Sequence, residues 1–263
     1  MRLPVYQVDA FTDQLFAGNP AALVPLEEWL PDTMLQAIAR ENNLSETAFW
    51  VQRADQDYDL RWFTPVAEVD LCGHATLASA WLKAHHLDEA RREWCYHTRS
   101  GPLRVARRDR QIQMKFPLLN GQGCAVPPAL EQALGVEIKQ CQAAMDYIVF
   151  LESAADLRNL EPDMQLLLRL DRRGVIVSAP ADDGQADFVL RFFAPRFGIN
   201  EDPVTGSAFT QVAAWWSARL GKQKLIVQQI SSRSGQAELE LTGSDSLLIS
   251  GQAALYLEGF IFI

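Results

Sequence analysis

A hexapeptide written twice sets the tightest limit on what this 263-residue chain can fold into. Leu60-Arg61-Trp62-Phe63-Thr64-Pro65 returns 130 residues later as Leu190-Arg191-Phe192-Phe193-Ala194-Pro195, with an aromatic kept at Trp62/Phe192. Pro31-Asp32 returns as Pro162-Asp163 at an offset of 131, and Cys72-Gly73-His74-Ala75 lines up with Thr205-Gly206-Ser207-Ala208 at an offset of 133. Three matches in one order with a nearly constant offset predict two structurally similar halves, since a solenoid unit is far shorter. The expected division is residues 1–117 and 118–263, leaving open a return of the last strand to the N-terminal domain.

Each matched glycine precedes a helical stretch of unusual character. From Ala75 to Leu87 the only Lys, Arg, Asp or Glu is Lys83, and from Ala208 to Leu220 it is Arg219. A surface helix carries one apolar stripe and a charged opposite face, whereas these two are apolar nearly all round. Each is too short to cross a bilayer, so it must be wrapped by protein. Alternating segments supply the wrapping: Tyr58 to Trp62, Gln111 to Phe116 and Glu238 to Leu241 read as strands. So do Val5 to Val8, Thr47 to Val51, Tyr147 to Leu151, Val175 to Ser178, Leu225 to Ile230 and Ala254 to Phe262. Outer helices are expected at Asp32 to Arg40, Pro128 to Leu134 and Asp163 to Leu170. The predicted class is α+β: two similar domains, each a rolled mixed sheet around a central helix, related by a pseudo-two-fold axis. Such a molecule commonly places its ligand in the cleft between halves.

Composition narrows the partners. Lys and Arg number 24 against 33 Asp and Glu, a formal net charge of −9, which disfavours nucleic acid and an anionic membrane surface. No apolar run is long enough to span a bilayer, and Met1 to Ala10 lacks a basic-then-apolar leader pattern, so a cytoplasmic protein is expected. Cys72, Cys95, Cys124 and Cys141 form no C-x-x-C pair, and His74, His85, His86 and His97 make no zinc spacing with them. The one G-x-G, Gly121-Gln122-Gly123, lacks the rest of a nucleotide fingerprint. No metal and no nucleotide cofactor are expected. Cys72 reads as a small buried hydrophobe, Trp215-Trp216 as core filling, and Arg104, Arg107, Arg108 and Arg110 as solvent-facing.

Gly73 and Gly206 stand where the backbone is expected to turn sharply into a buried helix. A helix start offers unpaired N–H groups and a partial positive charge of roughly half a unit. Two such starts facing each other across a cleft would hold a small carboxylate without Lys or Arg.

The motifs here also resemble a known family. Val8-Asp9-Ala10-Phe11-Thr12 and Phe16-Ala17-Gly18-Asn19-Pro20-Ala21 resemble the opening of the PhzF-like relatives of the phenazine-biosynthesis isomerase. Leu44-Ser45-Glu46-Thr47-Ala48-Phe49, Phe63-Thr64-Pro65, Cys72-Gly73-His74-Ala75 and Glu201-Asp202-Pro203-Val204-Thr205-Gly206-Ser207-Ala208 continue the likeness in family order. The resemblance implies the diaminopimelate-epimerase-like fold, a homodimer, no cofactor and a small-molecule carboxylate substrate. It implies Glu46 as general acid/base, with His74 and Asp202 as further catalytic residues that orient the substrate in the same inter-domain cavity. Gly73, Gly206 and Ser207 are then substrate-binding residues. A carboxyl group suits this work when burial brings its pKa toward working pH. The implied activity is cofactor-independent isomerisation by proton transfer.

Two alternatives stand beside it. A two-base amino-acid epimerase or racemase on the same fold uses one cysteine per half, but Thr205 occupies the position equivalent to Cys72. A hydroxyl, with a pKa far above a thiol's, is a poor second partner. A non-catalytic binding protein would instead leave Glu46 ordinary and exposed.

Overall fold

Alternating and fully buried strand segments pair in the same sequence of directions in each of two units. The computed structural model describes residues 1–87 and 90–263 and separates into Met1–Lys115 with Ser250–Ile263, and Phe116–Ile249. In the first unit β1 (Arg2–Ala10) runs antiparallel to β2 (Asn19–Leu26), and β2 parallel to β3 (Glu46–Gln52). β3 is antiparallel to β4 (Tyr58–Phe63), which carries the short β5 (Glu68–Val69) on one part and runs parallel to β6 (Glu93–Thr98). β7 (Gly101–Arg108) and β8 (Gln111–Pro117) follow antiparallel. The C-terminal strand Ala253–Phe262 lies antiparallel to β1, from Ala10↔Ala253 to Arg2↔Phe262.

Helix α1 (Asp32–Asn42) opens with an acid in its first turn and buries Leu35, Ile38 and Ala39 against β3. It runs two residues beyond the expected Arg40, ending where Asn43 takes the left-handed conformation (φ 49°) and donates its N–H to the Ala39 carbonyl. Helix α2 (Gly73–Leu82) packs against β1, β2, β3, β7 and the C-terminal strand, and eight of its ten residues are buried. After Leu82 the expected helix widens into a π-helical turn, Lys83–Leu87. The single charge of this stretch is explained there: buried Lys83 places Nζ 3.8 Å from the Tyr58 ring centroid.

The second unit contains β9 (Gln122–Gly123), α3 (Pro128–Leu134), β10 (Cys141–Ala143), β11 (Tyr147–Phe150), α4 (Ala154–Arg158) and α5 (Met164–Leu167). β12 (Val175–Pro180), β13 (Phe188–Phe193), α6 (Gly206–Leu220), β14 (Lys224–Gln229) and β15 (Gly235–Leu241) follow, and β16 (Ser246–Gly251) runs through the boundary after Ile249. β10 to β15 repeat the directions of β1, β2, β3, β4, β6 and β7: antiparallel, parallel, antiparallel, parallel, antiparallel. Helix α6 packs on β14 and β15. The helix expected from Asp163 to Leu170 shrinks to Met164–Leu167, with Asp163 as its cap. Among the described residues no helix is long and apolar enough to cross a membrane.

The duplicated hexapeptide builds one brace in each unit. Arg61 grips Glu68 through Nε and Nη2, both at 2.7 Å, with its guanidinium 5.1 Å from the Phe63 ring. Arg191 grips Glu201 the same way at 2.7 and 2.9 Å, 4.9 Å from the Phe193 ring. A paired guanidinium–carboxylate fork fixes direction as well as distance, so each brace anchors the segment leading into its buried helix. Arg104, Arg108 and Arg110 are exposed, but Arg107 is only half-exposed: its Nη1 donates to the Ala84 carbonyl, within the π-helical turn, at 2.9 Å.

Trp215 and Trp216 fill the second core. The Trp216 ring stacks on Phe188 at 5.0 Å and its indole N–H donates to Ser178 Oγ at 2.9 Å, while Trp215 stacks on Phe150 at 3.8 Å. Trp216→Ala therefore removes a fully buried aromatic and one buried hydrogen bond, and should cost about 3–5 kcal/mol in urea unfolding. A loss below about 1 kcal/mol would contradict this packing.

Candidate active site

Residues far apart in sequence meet at the start of α2. Asn42 Nδ2 donates to Thr47 Oγ1 at 3.1 Å, tying the end of α1 to the opening of β3, whose first residue is Glu46. The Glu46 carboxyl Oε2 lies 3.3 Å from His74 Nε2, with side-chain exposures of 14% and 8%. On the other side of the ring, His74 Nδ1 is 3.5 Å from Cys72 Sγ. A single imidazole thus stands between a carboxyl group and a thiol. Burial drives the His74 pKa from its usual value down to about 3, so the ring is neutral throughout the physiological range. The tautomer with its proton on Nε2 presents a donor to Glu46 and an acceptor to the Cys72 thiol.

Cys72 is extended (φ −142°, ψ 110°) and supplies no side-chain cap to α2, and neither does Thr205 (φ −120°, ψ 97°) to α6. Gly73 and Gly206 are the first residues of these helices, and neither has a positive φ. The chain passes from extended to helical backbone at each of them without using the left-handed conformation, so small size at an uncapped helix start is what they contribute. Within α2 the hydroxyls of Thr76 and Ser79 donate back to the carbonyls of Cys72 and Ala75, which leaves the apolar helix without stranded side-chain donors there.

In the second unit the matching corner is locked by amides and ions. Asp202 is buried, and its carboxylate accepts a short hydrogen bond from Thr205 Oγ1. Gln229 closes the clamp, accepting from the Thr205 N–H at 2.8 Å and donating to the Asp202 carbonyl at 2.7 Å. Ser207 Oγ accepts from Arg173 Nη2 at 2.9 Å. Arg173 forks onto fully buried Asp146 at 2.9 and 2.5 Å, and Gln211 Nε2 donates to the same carboxylate at 2.6 Å. Because the Ser207 oxygen already accepts from a cation, its own proton is directed elsewhere and available to an acceptor.

Glu46 and His74 are thus together in the first unit with Cys72, while Asp202, Gly206 and Ser207 share the α6 corner in the second. Sequence inspection missed Asp146, Arg173 and Gln211; the one signal was Gln211, a lone amide inside an otherwise apolar helix. Among the described residues, two groups place possible metal-donor atoms within 4.8 Å of one another: Glu46–Cys72–His74, and Asp57–Cys95–His97. Asp57 in the latter also accepts from Arg91 Nη2 at 3.0 Å. Chain spacing reveals neither group in full, because one joins β3 to the start of α2 and the other joins the turn before β4 to β6.

Two mixed-sheet units, each with a buried helix, define an α+β protein of the diaminopimelate- and proline-epimerase-like fold. A hydroxyproline epimerase from Agrobacterium vitis, solved with bound trans-4-hydroxy-L-proline, shares that fold at a TM-score of 0.63 and 11% identity, covering 99% of this chain and 92% of that one. The chain belongs to the phenazine biosynthesis-like (PhzF) family, whose model, described as Phenazine biosynthesis-like protein, matches residues 8–259. A crystal structure of a PhzF-family phenazine biosynthesis protein from Enterococcus faecalis is 40% identical with a TM-score of 0.96, covering all of both chains. A Pseudomonas aeruginosa protein called an uncharacterized isomerase is 49% identical over 263 residues, again over the full length of both.

The depressed His74 pKa carries a sign for stability. The unfolded chain takes up a proton near pH 6.5 while the folded ring resists until about 3, so stability present above pH 6.5 is lost as pH falls toward 3. His74→Asn should flatten this slope in urea titrations between pH 6.5 and 4. An unchanged slope would mean that His74 charges normally in the folded protein.

Proposed function

We propose that this protein is a cofactor-independent isomerase that moves a proton within a small carboxylated metabolite, with Glu46 as the acid/base. What carries the proposal is the 3.3 Å approach of the Glu46 carboxyl to a buried, neutral His74. A carboxyl group that takes a proton from one carbon and delivers one to another must be able to hold either charge state and must not be pinned in its ionised form by a cation. A desolvated site with a neutral neighbour meets both conditions. His74 orients Glu46 and the substrate, and the uncapped N–H groups at Gly73 receive negative charge. Gly206 and Ser207 are assigned to substrate binding, the Ser207 proton, freed by Arg173, suiting a carboxylate acceptor; Asp202, expected as a catalytic residue, is assigned a positioning role, its carboxylate holding the α6 start in shape through Thr205. The isomerase name of the Pseudomonas aeruginosa relative supports the reaction class. Exposed Tyr256, Leu257, Phe260 and Phe262 on the C-terminal strand support assembly as a homodimer.

A thiol-based epimerisation is favoured by one observation, the 3.5 Å contact of Cys72 Sγ with His74 Nδ1. Against it stands Thr205, hydrogen-bonded to Asp202 where a second thiol would be needed.

The test is solvent deuterium incorporation into small acids of a metabolite extract, followed by NMR. Wild type should label at least one acid, Glu46→Gln should be slower by about 10²–10⁴-fold, and Cys72→Ser should retain most of the activity. Labelling by Glu46→Gln at the wild-type rate would remove Glu46 as the base, and total loss in Cys72→Ser would transfer the role to the thiol.

A further inference from the structure

The second unit holds a thiol pair that the proposed chemistry does not use. β9 and β10 pair antiparallel with Gln122↔Ala143 and Gly123↔Gln142, so the next residues in register are Cys124 and Cys141. The Cys124 N–H donates to the Cys141 carbonyl at 3.2 Å, and the two Sγ atoms lie 3.5 Å apart. Directly opposed residues of an antiparallel pair have Cα atoms about 4.5–5.5 Å apart, inside the range of about 4.4–6.8 Å that a disulfide tolerates. The sulfurs need to approach by roughly 1.5 Å to bond, a displacement that side-chain rotation supplies while the strand pairing stays intact.

We propose that Cys124 and Cys141 are a redox modification site, converted by hydroperoxides into a reversible intramolecular disulfide. Cys124 is the half-exposed member and meets the oxidant; Cys141 is buried. The Cys124 sulfur attacks one peroxide oxygen, forming S–O as O–O breaks, and the departing hydroxide takes the thiol proton as water. Cys141 then attacks the Cys124 sulfur: S–S forms, S–O breaks, and the Cys141 proton leaves with the hydroxide as a second water. Two thiols supply the two electrons that reduce the peroxide. The order of the two steps follows from access and proximity: buried Cys141, its thiol pushed up by burial and by Cys124, is shielded from free peroxide and reacts only because the oxidised Cys124 sulfur stands beside it, 3.5 Å away before reaction. The bond would clamp β9 to β10 and close the segment that contains α3.

The experiment treats the reduced full-length protein with hydrogen peroxide, then counts thiols after denaturation and maps cross-linked peptides. Two of the four thiols should disappear, the linked peptides should be those of Cys124 and Cys141, and dithiothreitol should restore all four. The double variant Cys72→Ser/Cys95→Ser should form the same link, and Cys124→Ser should form none. Retention of all four thiols, a link between other cysteines, or oxidation that dithiothreitol does not reverse would overturn the proposal.

Discussion

The structure depends on a helix that cannot face water. Nearly every residue of α2 is apolar or back-bonded, so the sheet of the first unit must close around it, and its first turn is carried inside with it. His74 is the second residue of that turn. Its desolvation is a consequence of where the helix has to lie, and neutrality of the ring follows from desolvation. Electrostatic contacts in such a place are weakly screened, so the Glu46–His74 approach weighs more than the same pair would on the surface.

The two units share a scaffold and differ where chemistry would occur. Both use the arginine fork of the hexapeptide, both run their strands in the same succession of directions, and both start the central helix at an uncapped glycine. At the first helix start stand Cys72 and His74, groups that donate and accept protons. At the second stand Thr205 and Ser207, each already engaged, one by Asp202 and Gln229 and the other by Arg173. The matching corners thus carry a buried imidazole and thiol in one unit and a fixed array of hydrogen-bonding groups in the other.

Much of this is legible in the sequence, for identifiable reasons. The hexapeptide, the charge-poor helices and α3 are local patterns, and the fold class follows from them. Gly73 and Gly206 come from the repeated helix starts, whereas Glu46, His74, Asp202 and Ser207 come from motif resemblance, since nothing about spacing links residue 46 to residue 74. What stays hidden is made by tertiary contact. β2, β6 and β16 carry masked alternation because consecutive positions are buried, and β7 carries a weak pattern because only one of its eight positions is buried. The Asp146–Arg173–Gln211 network joins three separated segments. Arg107 looks like part of a solvated basic run until the π-helical turn gives its guanidinium a carbonyl to bind.

Nitrogen-15 NMR of the imidazole side chains, recorded on the folded protein from pH 8 to pH 5, tests the central point most directly. His74 should give the shifts of a neutral ring protonated on Nε2 at every pH in that range. A His74 signal that moves to the imidazolium position near pH 6.5 would show that the helix start is wet, and the dry acid/base pair would not exist.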